Sequence, residues 1–270
     1  MIVAGIDAGS RTIKIVLWDG FRGAMVGAGI ADQGVEQDAL AGALLDRLLG
    51  ETGRARSDLG RVVATGYGRN IMSMADSTVT EITCHAVGVG HVLPGARTVI
   101  DIGGQDSKLI RLDGDGGVRD FAMNDRCAAG SGRFLEVIAA RLGVELSALG
   151  ALARRSERPA AISSMCVVFA ETEIIGLLAS RTPPADLAAG VQASMANRVV
   201  AMAGRHLDPP IVFTGGVALV PGMSDALATA LGHPLQVAPD PRMTGALGAA
   251  LIAAGHRDPV PARVAPASPW

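Results

Sequence analysis

The N-terminal part of the chain changes from a strand-like to a helix-like spacing of hydrophobic residues. Short apolar runs separated by turns predict a three-stranded hairpin meander: "MIVAGID", "TIKIVLWD" and "GAMVGAGI". The next stretch predicts a helix, because its leucines recur on one face: Leu40, Leu44, Leu45, Leu48 and Leu49. A buried strand, "RVVATGYG", and a second helix, "EITCHAVGVGHVL", complete this half.

The same order of patterns then begins again. "TVIDIGG" predicts a strand that ends in two glycines, and "SKLIRLD" and "VRDFAMN" predict its hairpin partners. Further helices and strands follow, in the order "SGRFLEVIAARLG", "VFAETEIIGLLAS", "DLAAGVQASMANRVVAMAGRH", "PIVFTGG", "MSDALATALG", "LQVA" and "GALGAALIAAG". The repeat predicts an α/β protein made of two duplicated lobes that face each other across a cleft.

The repeat also predicts where the lobes begin and end. We expect a first lobe over residues 1–94, joined by a C-terminal helix at 245–256, and a second lobe over 95–244. The Pro- and Ala-rich segment 257–270 is expected to be a flexible tail. Since no low-complexity linker separates the lobes, we expect a hinged pair.

Composition and charge narrow the classes of partner and compartment. The 270 residues carry a formal net charge of -2, whereas a nucleic-acid or anionic-membrane surface needs clustered Lys and Arg, so neither partner is expected. Met1 leads straight into "IVAGID" without signal-peptide features, and the long window "LAAGVQASMANRVVAMAG" is too polar for a bilayer span. The 3 cysteines form no CxxC pair, so we expect a reduced, cytoplasmic protein.

Two strand ends carry residues suited to a magnesium nucleotide. In "GIDAGSRTIK", Asp7 can hold a magnesium-bound water, Gly9 and Ser10 allow phosphate oxygens to approach the backbone, and Lys14 can meet negative charge. A tight hairpin with no ligand explains this stretch alone equally well.

The second half of the chain repeats this arrangement. "VIDIGGQDSK" places Asp101, Gly103, Gly104 and Lys108 at the matching point, and "FTGGVA", with Gly215 and Gly216, follows another strand and can lie under an adenosine. Two such strand ends over one cleft favour nucleotide binding, and the absence of GxxxxGK[ST] excludes a P-loop enzyme.

The cysteines differ in context. Cys84 is expected to be a small buried hydrophobe, and the adjacent His85 diverges from it on a helix. Cys127 and Cys166 each precede a helical segment, whose positive end stabilises a thiolate or an anionic cluster. From the residues alone, buried packing and cluster binding both remain open.

The three glycine motifs resemble the phosphate-1, phosphate-2 and adenosine motifs of the actin, sugar-kinase and heat-shock ATPase superfamily. The resemblance implies an actin-like ATPase fold, in which two ribonuclease-H-like lobes hold ATP or ADP with Mg²⁺ between them. Five motifs together resemble the ATP-dependent activators of 2-hydroxyacyl-CoA dehydratases and the ATPase subunits of benzoyl-CoA reductase: "TGYGRN", "EITCHA", "VIDIGGQDSK", "NDRCAAGSGRFLE" and "AISSMCVVFAETEII".

This family resemblance implies an ATPase that transfers electrons. Cys127 and Cys166 would hold one 4Fe-4S cluster shared by a dimer, reduced ferredoxin or flavodoxin would donate the electron, and an acyl-CoA dehydratase or reductase would accept it. Both homodimers and heterodimers with a paralogous subunit occur in the family. The residues leave both arrangements open. We favour the stand-alone activator over the smaller reductase subunit, because both phosphate motifs are intact and a homodimer needs every site to be functional.

The resemblance also implies roles for single residues. Asp7, Asp101 and Gln105 form the expected catalytic set, and Gly9, Ser10, Lys14, Gly103, Gly104, Gly215 and Gly216 the expected nucleotide-binding set. Asp106 and Glu81 lie near these motifs without an assigned role. Arg126 and Arg133 flank the Cys127 turn, where a solvated surface role is the simpler interpretation.

Two other functions fit the same fold. A small-molecule kinase of the sugar type would need a base for the substrate hydroxyl and no cluster. A non-enzymatic, actin-like assembly protein would form nucleotide-dependent filaments and bind no iron.

Overall fold

The structure is a computed structural model that describes residues 1–125, 128–163, 166–204 and 207–256. The chain forms two compact units. Unit 1 comprises residues 1–97, 110–121 and the described part of the segment from 238 onward, and unit 2 comprises 98–109 and 122–237. The lobe boundaries expected from the sequence, 1–94 with 245–256 and 95–244, stay a prediction. The expected flexible tail, 257–270, lies outside the described residues.

Unit 1 is built on a five-stranded mixed sheet in the order β3-β2-β1-β4-β5. Strands β1 and β2 are antiparallel, whereas β1 and β4 are parallel. Its elements before the crossover to the second sheet are β1 (Ile2–Ala8), β2 (Thr12–Asp19), β3 (Ala24–Asp32), α1 (Gln37–Glu51), β4 (Leu59–Thr65), β5 (Ser77–Thr78) and α2 (Glu81–Val92).

The second five-stranded sheet has the order β10-β9-β6-β7-β8. Strand β6 runs parallel to β9, and β9 runs parallel to β10. The remaining elements are β6 (Thr98–Ile102), β7 (Ser107–Leu112), β8 (Val118–Asn124), α3 (Gly132–Arg141), α4 (Leu149–Ala153), α5 (Val167–Ala179), α6 (Pro184–Ala203), β9 (Ile211–Thr214), α7 (Met223–Leu231), β10 (Leu235–Val237) and α8 (Thr244–Ala253).

The two sheets share one topology, since each has its third, second, first, fourth and fifth strands side by side. The predicted duplication and the α/β fold class are therefore confirmed. The short strand β5 was missed by the sequence pattern, because Ser77 and Thr78 form no hydrophobic run. The five-residue helix α4 was missed as well, because it is too short to show helical periodicity.

Strand β1 is buried along its whole length because helices cover both faces of its sheet. Alternate residues of β1 pack with α1, among them Ile2, Ala4 and Ile6. Val3 faces the other way, into a cluster with Ala246 and neighbouring residues of α8. This alternation is the period of two that a pleated strand imposes.

Within the described residues, none of the helices has the length and apolar character that crossing a membrane requires.

Helix α8 lies against β1 and α2 at backbone contact distance. A Cβ atom on Gly5 would overlap the carbonyl oxygen of Ala246, one on Gly88 would overlap that of Thr244, and one on Gly248 would overlap that of Cys84. Because these glycines leave no room for a side chain, α8 has a single depth at which it can pack.

A pair of substitutions in α2 tests this packing. We expect Gly88→Ala to lower the free energy of unfolding by about 1–3 kcal/mol, because the methyl group displaces α8. Gly90→Ala is the matched control, since a Cβ there meets no atom within 4 Å. It should be neutral or raise stability by up to about 1 kcal/mol through helix propensity. Urea unfolding measures both, and equal stabilities of the two variants would contradict the close contact.

Candidate functional site

The first candidate carboxylate, Asp7, lies at the end of β1 and is held by a lysine on the adjacent strand. The antiparallel register places Lys14 of β2 directly opposite Asp7. The Lys14 ammonium donates to Asp7 Oδ2 at 3.1 Å, and both side chains are largely buried. Burying a charged group is costly unless it is paired, and the hairpin provides this partner and keeps Asp7 oriented at the strand end.

The turn after Asp7 contains Gly9 and the half-buried Ser10. The Gly9 amide donates to the Thr12 carbonyl at 3.1 Å, and a Cβ on Gly9 would lie 2.9 Å from Lys14 Nζ. The Gln33 amide donates to the Gly9 carbonyl at 2.7 Å. The sequence interpretation missed Gln33, because an isolated Gln beyond a predicted strand carries no local signal.

A second loop, at the end of β4, lies beside Asp7. Thr65 is the register partner of Asp7 in the parallel pair β1–β4. Gly66 follows with φ +85°, and a Cβ there would overlap Asp7 Oδ1. The Gly68 amide donates to the Ala8 carbonyl at 2.8 Å. The backbone of the "TGYGRN" motif therefore packs against the Asp7 carboxylate.

Unit 2 repeats the pairing of aspartate and lysine in a more buried form. Asp101 ends β6 and is 3% exposed, and Lys108 on β7 is 2% exposed. The Lys108 ammonium donates to Asp101 Oδ2 at 3.2 Å and to Asp106 Oδ2 at 2.7 Å. Removing either carboxylate would leave a buried ammonium with weaker compensation. Lys108 and Asp106 thus belong to this site, although the sequence interpretation assigned a role to neither.

Two glycine loops border Asp101. The Gly103 amide donates to the Asp106 carbonyl at 3.0 Å and closes the turn that carries Gly104 and Gln105. Gly215 follows β9 with φ +88°, and a Cβ there would lie 2.8 Å from Asp101 Oδ1.

The remaining predicted residues of unit 2 line the open side of these loops. Gln105 and Gly216 are exposed, and a Cβ on Gly216 would meet no atom within 4 Å. This edge of the sheet therefore combines a fixed carboxylate with accessible backbone.

The loop after Asp101 is hydrogen-bonded directly to the start of α3. The Gly132 amide donates to the Gly103 carbonyl at 2.8 Å, and the Arg133 amide donates to the Gly104 carbonyl at 2.9 Å. A Cβ on Gly132 would lie 3.2 Å from the Gly103 oxygen and 3.3 Å from Val217 Cγ2. Two backbone hydrogen bonds and close packing therefore connect this loop to the first turn of α3.

Of the two predicted cluster ligands, the structure describes only Cys166. Cys127 and the neighbouring Arg126 lie outside the described residues. Cys166 is half-buried and is the N-cap residue of α5, and its carbonyl accepts the Ala170 amide at 2.8 Å. Over the described ranges, no three His, Cys, Asp or Glu side chains are grouped around a possible metal. Arg133 is exposed and pairs with Glu136 at 3.1 Å, which agrees with a surface role.

Cys84 is a buried core residue, as predicted. It is fully shielded from solvent between α2 and α8, and this burial raises the pKa of its thiol to about 12. The thiolate is the reactive form of cysteine. Cys84 therefore cannot serve as a nucleophile or metal ligand while the protein is folded.

Selective alkylation tests this assignment. At pH 8.5 we expect iodoacetamide to leave Cys84 unmodified in the native, metal-free protein and to label it after unfolding, because the unfolded thiol titrates near pH 8.5. Cys166 is the internal control and should react in the native state, as peptide mass spectrometry would show. The same pKa shift stabilises the fold below pH 8.5, and that contribution is lost as the pH rises toward 12. Labelling of both cysteines at one rate would contradict the burial.

Comparisons with known proteins agree with these features. The chain matches the BadF/BadG/BcrA/BcrD ATPase family over residues 4–253. It is 44% identical over 255 residues to the activator of lactoyl-CoA dehydratase from Anaerotignum propionicum, with 94% of this chain and 97% of that protein covered. It is 33% identical over 262 residues to one of the subunits of benzoyl-CoA reductase from Thauera aromatica, with 93% and 92% covered.

The fold also matches a solved nucleotide complex. The activator of the 2-hydroxyisocaproyl-CoA dehydratase from Clostridium difficile with bound ADPNP superposes with a TM-score of 0.88 at 41% identity, covering 94% of this chain and 95% of that one. These findings confirm the actin-like ATPase fold and the family resemblance that the motifs indicated. The chain belongs to the BadF/BadG/BcrA/BcrD ATPase family.

Proposed function

We propose that this ATPase uses ATP hydrolysis to pass a low-potential electron to a 2-hydroxyacyl-CoA dehydratase. The named relatives support this proposal, since two of them are dehydratase activators that align over almost the full chain. A benzoyl-CoA reductase is the alternative acceptor, supported by the lower identity to the reductase relative. Reduced ferredoxin or flavodoxin is the proposed donor, and the proposed compartment is the cytoplasm.

The observation that carries the proposal is the hydrogen-bonded link between the Asp101 loop and α3. The carbonyls of Gly103 and Gly104 accept the first amides of α3, and α3 begins only a few residues after Cys127. A phosphate that moved this loop would act on the helix that follows Cys127 in the sequence. Since nucleotides shift an equilibrium only through differential contacts, ATP and ADP can favour different positions of α3.

The two strand ends supply what phosphoryl transfer needs. Mg²⁺ prefers carboxylate and phosphate oxygens, and Asp7 and Asp101 offer carboxylates at accessible loops, so these residues fit the ion. Bound Mg²⁺ would neutralise charge on the transferred phosphate. Lys14, already beside Asp7, can turn to a phosphate oxygen, and the exposed Gln105 is the candidate for orienting the attacking water.

The loop glycines and Ser10 complete the proposed nucleotide site. Gly9 and Ser10 in unit 1, and Gly103 and Gly104 in unit 2, would present amides to the phosphates without blocking side chains. Gly215 and Gly216 would approach the nucleoside, because the space at Gly216 is open. The role of Glu81 stays unassigned.

Cys166 fits an iron-sulfur ligand by its position. A half-buried thiol at the N-cap of a 13-residue helix lies where the helix dipole favours negative charge. Together with Cys127, it would hold a 4Fe-4S cluster. Such a cluster would store one electron at low potential.

The surface of α5 supports a second copy of the chain as the partner in that cluster. Two cysteines supply half of the four ligands that a 4Fe-4S cluster takes, and a symmetric dimer supplies the rest. The first turn of α5 exposes two large apolar side chains next to Cys166, Val168 at 66% and Phe169 at 68%. Ile175 lies two turns further along and is 48% exposed. An apolar surface of this kind is typical of a face that is covered by a partner.

The iron content of the anaerobically purified protein tests the cluster. We expect about four iron and four sulfide per two chains. Cys127→Ala and Cys166→Ala should each abolish the iron, whereas Cys84→Ala is the matched control and should keep it. Iron retained in either of the first two variants would contradict the shared site. No iron in the wild type, combined with phosphoryl transfer to a sugar hydroxyl, would favour the kinase function.

Asp101→Asn tests the nucleotide site separately. We expect ATP hydrolysis to fall by about 10²–10³-fold, because a fixed charge at the reacting phosphate is lost, while iron content stays unchanged. Asp120→Asn is the control, since Asp120 is also a carboxylate in an ion pair, with Arg111 at 2.6 Å, but belongs to none of the candidate loops. Normal turnover in Asp101→Asn, or an equal loss in both variants, would show that the assignment of Asp101 is wrong.

A further inference from the structure

His85 is a buried histidine that the proposed function does not use. It lies on α2, is 6% exposed, and its Nδ1 lies 2.9 Å from Oγ1 of Thr244, which is 2% exposed at the start of α8. The sequence interpretation considered His85 only as a partner of Cys84. The structure instead joins it to a residue far along the chain.

The other side of the imidazole ring borders Asp7. A Cβ on Gly245 would lie 3.2 Å from Asp7 Oδ2 and 3.4 Å from both Cε1 and Nε2 of His85. The Asp7 carboxylate and the Nε2 edge of the His85 ring therefore both lie next to the position that a side chain of residue 245 would occupy. A Cβ at this position would lie closer to Asp7 Oδ2 than most Cβ atoms lie to a neighbour, so the glycine leaves room for both groups.

The packing around His85 keeps this geometry constant. Gly88 of α2 lies against the Thr244 carbonyl, and Gly248 of α8 lies against the Cys84 carbonyl, so the two backbones are in contact at residues next to His85 and at Thr244 itself. Neither helix can slide without a clash, so Thr244 and Gly245 stay fixed relative to His85. A group held in this way by packing and a second hydrogen bond is preorganised.

We infer that His85 is a positioning residue for Asp7. Nδ1 and the Thr244 hydroxyl are 2.9 Å apart, a contact that either tautomer of the ring can make. We take the tautomer in which the hydroxyl donates to Nδ1, because it leaves the hydrogen on Nε2, on the edge of the ring nearest to Asp7 Oδ2. Oδ2 is also the oxygen that accepts from Lys14. This inference rests on the proposed role of Asp7 in ATP hydrolysis. When Lys14 turns to a phosphate, Asp7 loses its ammonium partner, and His85 keeps the carboxylate in place.

Two amide substitutions separate the two ring nitrogens. Asn mimics Nδ1 and keeps the contact with Thr244, whereas Gln carries its amide farther out, where it mimics Nε2. We expect His85→Asn to lower kcat for ATP by about 10–100-fold with KM changed by less than about twofold, because a small misplacement acts mainly on the transition state. His85→Gln should restore most of kcat. His91→Gln is the control, since His91 is exposed on the same helix.

Gly245→Ala gives an independent variant. Its methyl group would occupy the point between Asp7 and His85, so kcat should fall as in His85→Asn. An alanine in a helix otherwise favours folding. Normal kcat in Gly245→Ala, with unchanged or higher stability, would show that the methyl group disturbs neither Asp7 nor His85 and would overturn the inference.

A measurement without nucleotide separates this inference from the proposed function. In a double-mutant cycle of Asp7→Asn and His85→Asn, followed by urea unfolding, interacting groups give non-additive shifts of the midpoint. Additive shifts, or equal kcat in His85→Asn and His85→Gln, would overturn the role of His85. A wild-type protein that hydrolyses no ATP would instead overturn the proposed function, whatever the cycle shows.

Discussion

The structure depends on one ion pair that occurs twice, between an aspartate at the end of a strand and a lysine on the next strand. In unit 1 the pair is Asp7 with Lys14, and in unit 2 it is Asp101 with Lys108. Burying a charged group is costly unless it is paired and hydrogen-bonded. The lysine provides that partner and orients the carboxylate, so the glycine turns can form around a fixed group.

Backbone contacts at glycines determine how closely the loops surround these carboxylates. Gly66 in unit 1 and Gly215 in unit 2 both follow the strand next to the carboxylate, and both have positive φ. A side chain at either position would collide with the aspartate or with the strand that carries it. Glycines also allow close backbone contact where α8 packs on β1 and α2. The candidate site and the core therefore both depend on positions that have no room for a side chain.

The two copies of the motif have diverged in what they contact. In unit 2, the lysine also binds Asp106, and the loop is bonded to the first turn of α3. In unit 1, no helix of the described chain is joined to the carboxylate loop in this way. Its carboxylate instead has the His85–Thr244 pair beside it. The asymmetry suits a protein in which one copy transmits the nucleotide state to a helix and the other holds its carboxylate still.

The sequence by itself determined the duplicated α/β plan. Hydrophobic periodicity is a local property of the sequence, and each predicted helix of more than one turn shows it as a buried stripe. It also marked Asp7, Asp101 and the glycines after them as candidate site residues, since an acidic residue between a buried strand and a glycine turn is a local signal. The family motifs pointed to Cys127 and Cys166 in the same way. Strand β5 and helix α4 were too short to leave such a pattern.

Only the tertiary structure decided which distant residues contact the residues that carry these local signals. The Gln33 side-chain amide donates to the Gly9 carbonyl, the Gly132 amide donates to the Gly103 carbonyl, and Gly245 borders both Asp7 and His85. Each of these contacts depends on sheet order and on the depth of helix packing, which arise from the whole chain. In the sequence, a glycine that allows such an approach looks the same as one that faces open solvent, such as Gly90. The difference lies in what packs against it.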